Sequence, residues 1–157
     1  MNDIIITKTT TTEIDTPSVD NTKNFGIILS EVTSIIHLIH WYILDFNIHT
    51  LLGDLYDDLN DLFDKLQEEI IGTSRLQEIP FPNFSLDCFN SKNLAQYESK
   101  EDLLDTYYKT TTKLIAILNS QEFKMYIEQV VSGLNNTKED ILSRINKTNY
   151  LLSLMGL

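Results

Sequence analysis

Large apolar residues recur every three or four positions over most of the chain, and this spacing constrains the fold more than any other feature. It is the spacing of one face of an α-helix. Only five Gly and three Pro occur in 157 residues, so long helices are expected. The first two are predicted over 24–46 and 50–71, and their short separation predicts that they pack antiparallel. Their apolar stripes are Ile28, Val32, Ile35, Ile36, Ile39 and Ile43, and then Leu52, Leu55, Leu59, Leu62, Leu66 and Ile70.

Helical spacing returns in the C-terminal half of the chain. A third helix is predicted to begin near Ser99, and the spacing resumes from Ser120. Asn136 and Glu139 resemble a capping box, which predicts a last helix over 137–155. The sequence leaves open whether 120–155 is one helix or two. The stripes are Leu103, Leu104, Tyr107, Leu114 and Leu118, then Phe123, Tyr126, Ile127, Val130, Val131 and Leu134, and finally Ile141, Leu142, Ile145, Tyr150, Leu152 and Leu154.

Two segments lack this spacing. Residues 1–23 are rich in Thr and contain Pro17, so they are predicted to form an irregular N-terminal arm, and the run from Ile4 to Ile6 carries the only strand signal. Gly72 is predicted to end the second helix. Residues 73–98 contain prolines that exclude a continuous helix, and a connection of this length is typical of a crossover between the second and third helices of a bundle. The chain is therefore predicted to be an all-α four-helix bundle over 24–157, preceded by the arm.

The chain is strongly acidic, with 12 Lys and Arg against 23 Asp and Glu and a formal net charge of −11. This balance disfavours nucleic-acid binding through a basic surface and anchoring to an anionic membrane. The apolar stretch 25–46 is long enough to span a membrane, but it carries Glu31, two histidines and Asp45, which favours a buried helix. Cys88 is the only cysteine, so neither an internal disulfide nor a Cys-rich metal site is expected.

Acidic residues and all three histidines concentrate in one part of the chain. Residues 45–69 hold eight acids against Lys65 alone, and the histidines at 37, 40 and 49 lie close by. On the second helix, one histidine and four acids recur at spacings that place them along one face, opposite the leucines. These are His49, Asp57, Asp61, Asp64 and Glu68. Imidazole and carboxylate groups together suit iron, zinc or manganese. A bound cation or a basic partner would also relieve the repulsion between the carboxylates.

Two ordinary explanations compete with a metal site. An acidic stripe on a helix is more often a solvated face, and a His beside a Trp on an apolar helix is more often an interior residue with its hydrogen bonds satisfied. The chain has no Glu followed three residues later by His. Because that pair builds a di-iron site inside one four-helix bundle, such a site within one subunit is disfavoured.

The arrangement of His40-Trp41, His49 and Asp64-x-x-x-Glu68 resembles the metal region of the Dps family, the small ferritin-like DNA-protection proteins. The sequence is more similar to a group of uncharacterised Dps-like proteins of tailed bacteriophages. The matching parts are His37-Leu-Ile-His40, His49, Leu52-Gly53-Asp54-Leu55-Tyr56-Asp57, Asp61, Asp64, Glu68, Gly72 and, loosely, 140–152. The similarity covers about residues 35–72 well and 138–154 loosely, and leaves the arm and the middle of the chain uncovered. It implies a ferritin-like bundle and a homo-oligomer.

The resemblance also implies where a metal would bind. In Dps proteins the ferroxidase centre lies between two subunits: one supplies two His and a carboxylate, and the other supplies an Asp and a Glu four residues apart. Carried over by position, His49 is the second His, and Asp64 and Glu68 are the acidic pair. The first His is either His40, which is followed by Trp, or His37, whose interval to the second His matches. The metal implied is iron or another divalent cation.

Two further positions bear on this implied centre. Asp61 is a candidate to orient the ligands through a hydrogen bond. The carboxylate that the family places one turn after His49 falls on Gly53 in this chain. The neighbouring Asp54 points about 100° away on a helix and does not replace it.

Three functions therefore remain open. The first is an oligomeric structural or assembly component of a virus particle with a partial metal site between subunits, favoured by Gly53 and by the arm. The second is an active Dps-like iron-binding ferroxidase, favoured by the matching His and acidic positions. The third is a helical adaptor that binds a basic partner through residues 54–69. Other virion proteins are further expected partners, in the virion or the host cytoplasm. The arm has two Lys against four acids, so it is not expected to bind DNA.

Overall fold

The structure, a computed structural model, describes residues 22–77, 83–85, 99–129 and 133–157. Within these ranges the chain is all-α apart from one short strand pair, which confirms the predicted all-α class. The elements in order are β1 (Thr22–Asn24), α1 (Phe25–Tyr42), α2 (Phe46–Gln77), β2 (Asn83–Ser85), α3 (Lys100–Leu118), α4 (Gln121–Glu128) and α5 (Leu134–Leu154).

The helix α2 has extensive contacts with both α1 and α5. Along α1 and α2, Gly26 lies beside Gln67 and His40 lies beside His49, so the two helices run antiparallel, as the sequence predicts. Along α2 and α5, Asp58 pairs with Arg144 and the carboxylate of Glu69 approaches Gly133. These helices are therefore antiparallel as well.

The helix α3 lies against α1 and α5. The Tyr107 hydroxyl donates a hydrogen bond to Asn149 Oδ1 at 2.8 Å, which ties α3 to α5. The short helix α4 closes the far end of α2, where the hydroxyls of Ser74 and Tyr126 are 2.8 Å apart and buried. Buried residues of all five helices therefore contribute to the core.

Most of the core consists of the predicted apolar stripes, and Phe25, Leu29, Ile48, Phe63 and Ile117 add to it. Every residue predicted for α1 is buried, as are those of α2 except Leu62, which is half-buried, and those of α3. In the last stripe Ile141, Leu142, Ile145 and Leu152 are buried. The prediction is wrong for Tyr150 and Leu154, which are 61% and 65% exposed. Tyr150 lies nine positions after Ile141 and Leu154 nine positions after Ile145, which places both on the face of α5 opposite its buried residues.

Four predicted helix boundaries are wrong, each because a contact overrides a local signal. The first helix ends at Tyr42 rather than at residue 46, and α2 begins at Phe46 rather than at Thr50. Asp45 instead caps α2: its Oδ1 accepts the amide hydrogens of Asn47 at 3.1 Å and Ile48 at 3.3 Å. The helix α2 also continues past Gly72 to Gln77. Thr73 and Ser74 in its last turns are buried. This burial stabilises the helical geometry beyond the glycine.

The start of α5 also differs from the prediction. The helix begins at Leu134, with Gly133 as its N-cap and no side-chain capping hydrogen bond. The predicted capping box at Asn136 and Glu139 does not form, because both residues already lie inside the helix. Burial of Leu134 in the core accounts for the earlier start. Residues 120–155 contain two helices, α4 and α5, and Ser120 caps the first of them by accepting the Phe123 amide hydrogen at 3.1 Å.

The short strands pair antiparallel, with Lys23 opposite Phe84. The strand β2 lies in the connection between α2 and α3, where the sequence predicts no strand. The predicted strand from Ile4 to Ile6 lies outside the described residues. So do residues 1–21 of the arm, the prolines at 80 and 82, Cys88, and Val130 and Val131.

Among the helices that the structure describes, one is long and apolar enough to cross a membrane by length and composition alone. This is α1, with a mean hydropathy of 1.2. The core helix of a globular protein satisfies the same criterion, and α1 buries its predicted apolar stripe against α2 and α3.

Candidate functional site

The three histidines meet where α1 turns into α2. Residues 43–45 join the two helices, and the Asp45 cap fixes the first turn of α2. Because the helices are antiparallel, the last turns of α1 face the first turns of α2. This places His37 and His40 of α1 against His49 and Tyr56 of α2. All four side chains are half-buried.

His40 and His49 form a reciprocal pair. His40 Nδ1 lies 2.8 Å from the carbonyl oxygen of His49, and His49 Nδ1 lies 2.8 Å from the carbonyl oxygen of His40. Their rings stack with centroids 3.9 Å apart and planes inclined by 26°. Two hydrogen bonds and a stacking contact therefore join the end of α1 to the start of α2.

This pairing determines which nitrogen of each ring carries a hydrogen. A carbonyl oxygen only accepts hydrogen bonds, so each Nδ1 carries the hydrogen and donates it. In the neutral imidazole, Nε2 then keeps its lone pair. An imidazole whose Nδ1–H is held by a backbone carbonyl is the usual form of a histidine that binds a metal through Nε2. His40 and His49 are thus prepared, in tautomer and orientation, as nitrogen ligands.

Gly53 makes room for this pair. A Cβ atom at this position would lie 2.8 Å from His40 Cε1 and 3.1 Å from His40 Nδ1, closer than such atoms approach. The His40 ring therefore occupies the space that a side chain at position 53 would need. The absence of a carboxylate one turn after His49 thus has a physical cause, because a carboxylate there is incompatible with His40 in this position.

His37 belongs to the same cluster but has different contacts. Its ring stacks on Tyr56 with centroids 3.9 Å apart and planes inclined by 13°, and it lies 4.2 Å from the Trp41 ring. The centroids of His37 and His40 are 6.1 Å apart. Tyr56 was not singled out by the sequence analysis. It follows His49 by seven residues, which places both on one helical face, and this spacing is the signal in the sequence that could have identified it.

The acidic residues of the implied metal site lie elsewhere on α2. Asp61, Asp64 and Glu68 are exposed, and Asp64 lines a groove between α1 and α2 beside Ser30 and Thr33. Fifteen residues separate His49 from Asp64, which is about 22 Å along a helix. Within the described residues, no three His, Cys, Asp or Glu side chains are close enough together to hold a metal ion. One chain therefore brings the histidines together but not the histidines and the acids.

Part of the acidic surface is balanced inside the chain. Arg144 of α5 pairs with Asp58, and Arg144 and Lys147 line a surface groove with Asp58, Asp61 and Asp140. The sequence alone does not show that α5 lies beside the acids of α2, so these acids were expected to be unpaired within the chain. The repulsion along α2 is thus relieved at one level of the helix by basic residues of the same chain.

No protein-family model matches the chain, and no curated protein and no solved structure shows significant similarity to it.

Proposed function

We propose that this chain is the subunit of a ferritin-like helical oligomer that serves as a structural or assembly component of a virus particle. In this proposal α1, α2, α3 and α5 are the four helices of the bundle, and residues 78–99 are its long crossover. The pairing of α1 with α2, of α2 with α5, and of α3 with both α1 and α5 supports that arrangement. The assignment to a virus particle comes from the similarity to Dps-like proteins of tailed bacteriophages.

The observation that carries the structural role is the position of His40 over Gly53. It removes the carboxylate that would complete the ligand set contributed by one subunit. Two imidazole nitrogens alone make a partial site, because oxidation of iron by oxygen at such centres relies on His together with carboxylate ligands. In the proposed metal site between subunits, His40 and His49 come from one chain and Asp64 and Glu68 come from the next. The site is incomplete because the carboxylate expected beside the two histidines falls on Gly53.

The second candidate is an active ferroxidase, and one observation favours it. The reciprocal hydrogen bonds place the ring hydrogen of His40 and His49 on Nδ1, which leaves Nε2 of each neutral ring as the atom that could bind a metal. If a second chain brought Asp64 and Glu68 to these nitrogens, two His and two carboxylates would be available for iron. The adaptor hypothesis has less support, because Arg144 and Lys147 of the same chain already face part of the acidic surface.

Oxidation of ferrous iron by the purified protein in air distinguishes the two candidates. The proteins compared are the wild type, His49→Ala, Asp64→Ala and, as a control, Glu122→Ala, which removes an exposed acid of α4. The structural proposal expects an oligomer in light scattering and no turnover above the rate of iron in buffer. Turnover that both site variants abolish and the control retains would establish the ferroxidase. A monomeric wild type would contradict the structural role.

A further inference from the structure

One end of the helical body carries a concentration of exposed apolar side chains. Where α1 turns into α2, Trp41 is 61% exposed, Tyr42 45%, Leu44 98% and Phe46 78%. Soluble proteins commonly expose single apolar residues, but neighbouring large ones indicate a binding surface. Four such residues within six positions of the sequence are therefore a feature that the isolated chain does not explain.

The C-terminal end of α5 adds to the same end. Asp58 of α2 is level with Arg144 of α5, and the two helices are antiparallel, so the first turn of α2 is level with the last turn of α5. Met155 there is 45% exposed. Tyr150 and Leu154 are exposed as well, but they leave α5 on the face opposite its buried residues and are not counted here. We call Trp41, Tyr42, Leu44, Phe46 and Met155 the apolar end.

The apolar end is large enough for a specific contact. An aromatic side chain presents about 200 Å². At the observed exposures Trp41, Tyr42 and Phe46 offer about 370 Å², and Leu44 and Met155 add to this. A stable interface buries about 800 Å² on each partner. Trp and Tyr are also the residues that most often dominate the binding energy of an interface, and the ring of Trp41 is already held against His37 at 4.2 Å.

We propose that the apolar end binds the apolar end of a second copy of this chain. Charge favours this occupant, because a chain of net charge −11 associates with itself only where its acids stay apart. The first exposed acid of α2 beyond Phe46 is Asp54, eight residues or about 12 Å along the helix. That distance already exceeds the screening length of about 8 Å at physiological ionic strength, and an end-to-end contact doubles it.

The carboxylate nearest to this end also permits the contact. Asp45 is half-buried, and its Oδ1 accepts hydrogen bonds from two amides of α2. It therefore does not need solvent on every side to remain charged. A contact between two identical surfaces is self-complementary, so the contact of Trp41 with the partner occurs twice, once from each copy. The inference rests on the proposed function only in that both require the chain to self-associate.

Trp41 reports directly on this surface because it is the only tryptophan of the chain. We expect its fluorescence to shift to shorter wavelength, and its quenching by iodide to fall, as the wild-type protein is concentrated. Light scattering over the same range should show the mass doubling. The double substitution Leu44→Ser with Phe46→Ser should weaken this association by roughly 100-fold, since each change occurs twice in the contact.

A matched control removes equally exposed apolar side chains from the opposite end. Leu76 on α2 is 87% exposed and Met125 on α4 is 51% exposed. Leu76→Ser with Met125→Ser should leave the association unchanged. All variants should keep the helical circular dichroism of the wild type, because the substituted side chains lie outside the core.

Several results would overturn the inference, and one of them separates it from the proposed function. If the wild type is oligomeric and the Leu44→Ser, Phe46→Ser variant is equally so, the assembly stands and its surface lies elsewhere. A monomeric wild type with Trp41 protected from iodide at every concentration would mean that the apolar end is covered within one chain. A blue shift seen only with uncharged phospholipid vesicles would identify a membrane as the occupant instead.

Discussion

Replacing Gly53 by Ala should destabilise the protein, although the same change in an exposed helix usually stabilises it. Ala gains about 1 kcal/mol over Gly in a helix interior. Here the new Cβ would lie 2.8 Å from His40 Cε1. His40 has no free space to yield without cost, because its Nδ1 hydrogen bond to the His49 carbonyl, at 2.8 Å, and its stacking on the His49 ring fix its position.

The expected size follows from these contacts. Moving the His40 ring costs the hydrogen bond, about 1 kcal/mol, and the crowding adds about 1–3 kcal/mol. After the helix-propensity gain is subtracted, Gly53→Ala should lower the free energy of unfolding by about 1–3 kcal/mol. The same helix supplies the control: a Cβ at Gly72 meets nothing within 4 Å. Gly72→Ala should therefore raise the free energy of unfolding by about 0.5–1 kcal/mol.

Urea denaturation followed by far-UV circular dichroism measures both variants. A third measurement isolates the cause: in a His40→Ala background the clash is gone, so Gly53→Ala should stabilise that protein about as much as Gly72→Ala stabilises the wild type. The reasoning is refuted if Gly53→Ala and Gly72→Ala stabilise the wild type equally. It is also refuted if Gly53→Ala remains destabilising when His40 is absent.

Two further predictions concern helix packing and capping. Burial, and then the neighbouring Tyr108, raise the pKa of Tyr107 above its usual value, so the folded state holds the proton that the unfolded state releases near pH 10. The free energy of unfolding should therefore fall above that pH by up to about 1.4 kcal/mol per pH unit. Urea denaturation of Tyr107→Phe at a series of pH values should show a shallower fall in this free energy. A fall as steep as that of the wild type would contradict the prediction. Asp45→Ala removes the cap of α2 and should lower the free energy of unfolding by about 1 kcal/mol. Asp45→Asn should lower it far less, because an Asn side chain also accepts the capping hydrogen bonds. Equal losses in the two variants would show that these capping hydrogen bonds do not stabilise α2.

The candidate site was predicted in part. The sequence drew attention to His37, His40 and His49 because they are close together at helical spacing, and the structure gathers all three at one turn. It did not indicate the hydrogen bonds between His40 and His49, since each depends on a backbone carbonyl of the other helix. The role of Gly53 was likewise hidden, because a missing side chain carries no sign of what lies across from it.

The sequence by itself determined the helices and the residues that face the core, because the pattern of apolar residues along a helix is local and survives into the folded chain. It also determined that the acids of α2 lie away from the core. Only the tertiary structure decided where the helices end, as at Gly72, where the buried turn at Thr73 and Ser74 extends α2. It also decided which surfaces remain without a neighbour, as at Leu44 and Phe46. Spacing fixes the direction in which a side chain leaves its helix, whereas burial depends on the element, if any, that lies opposite.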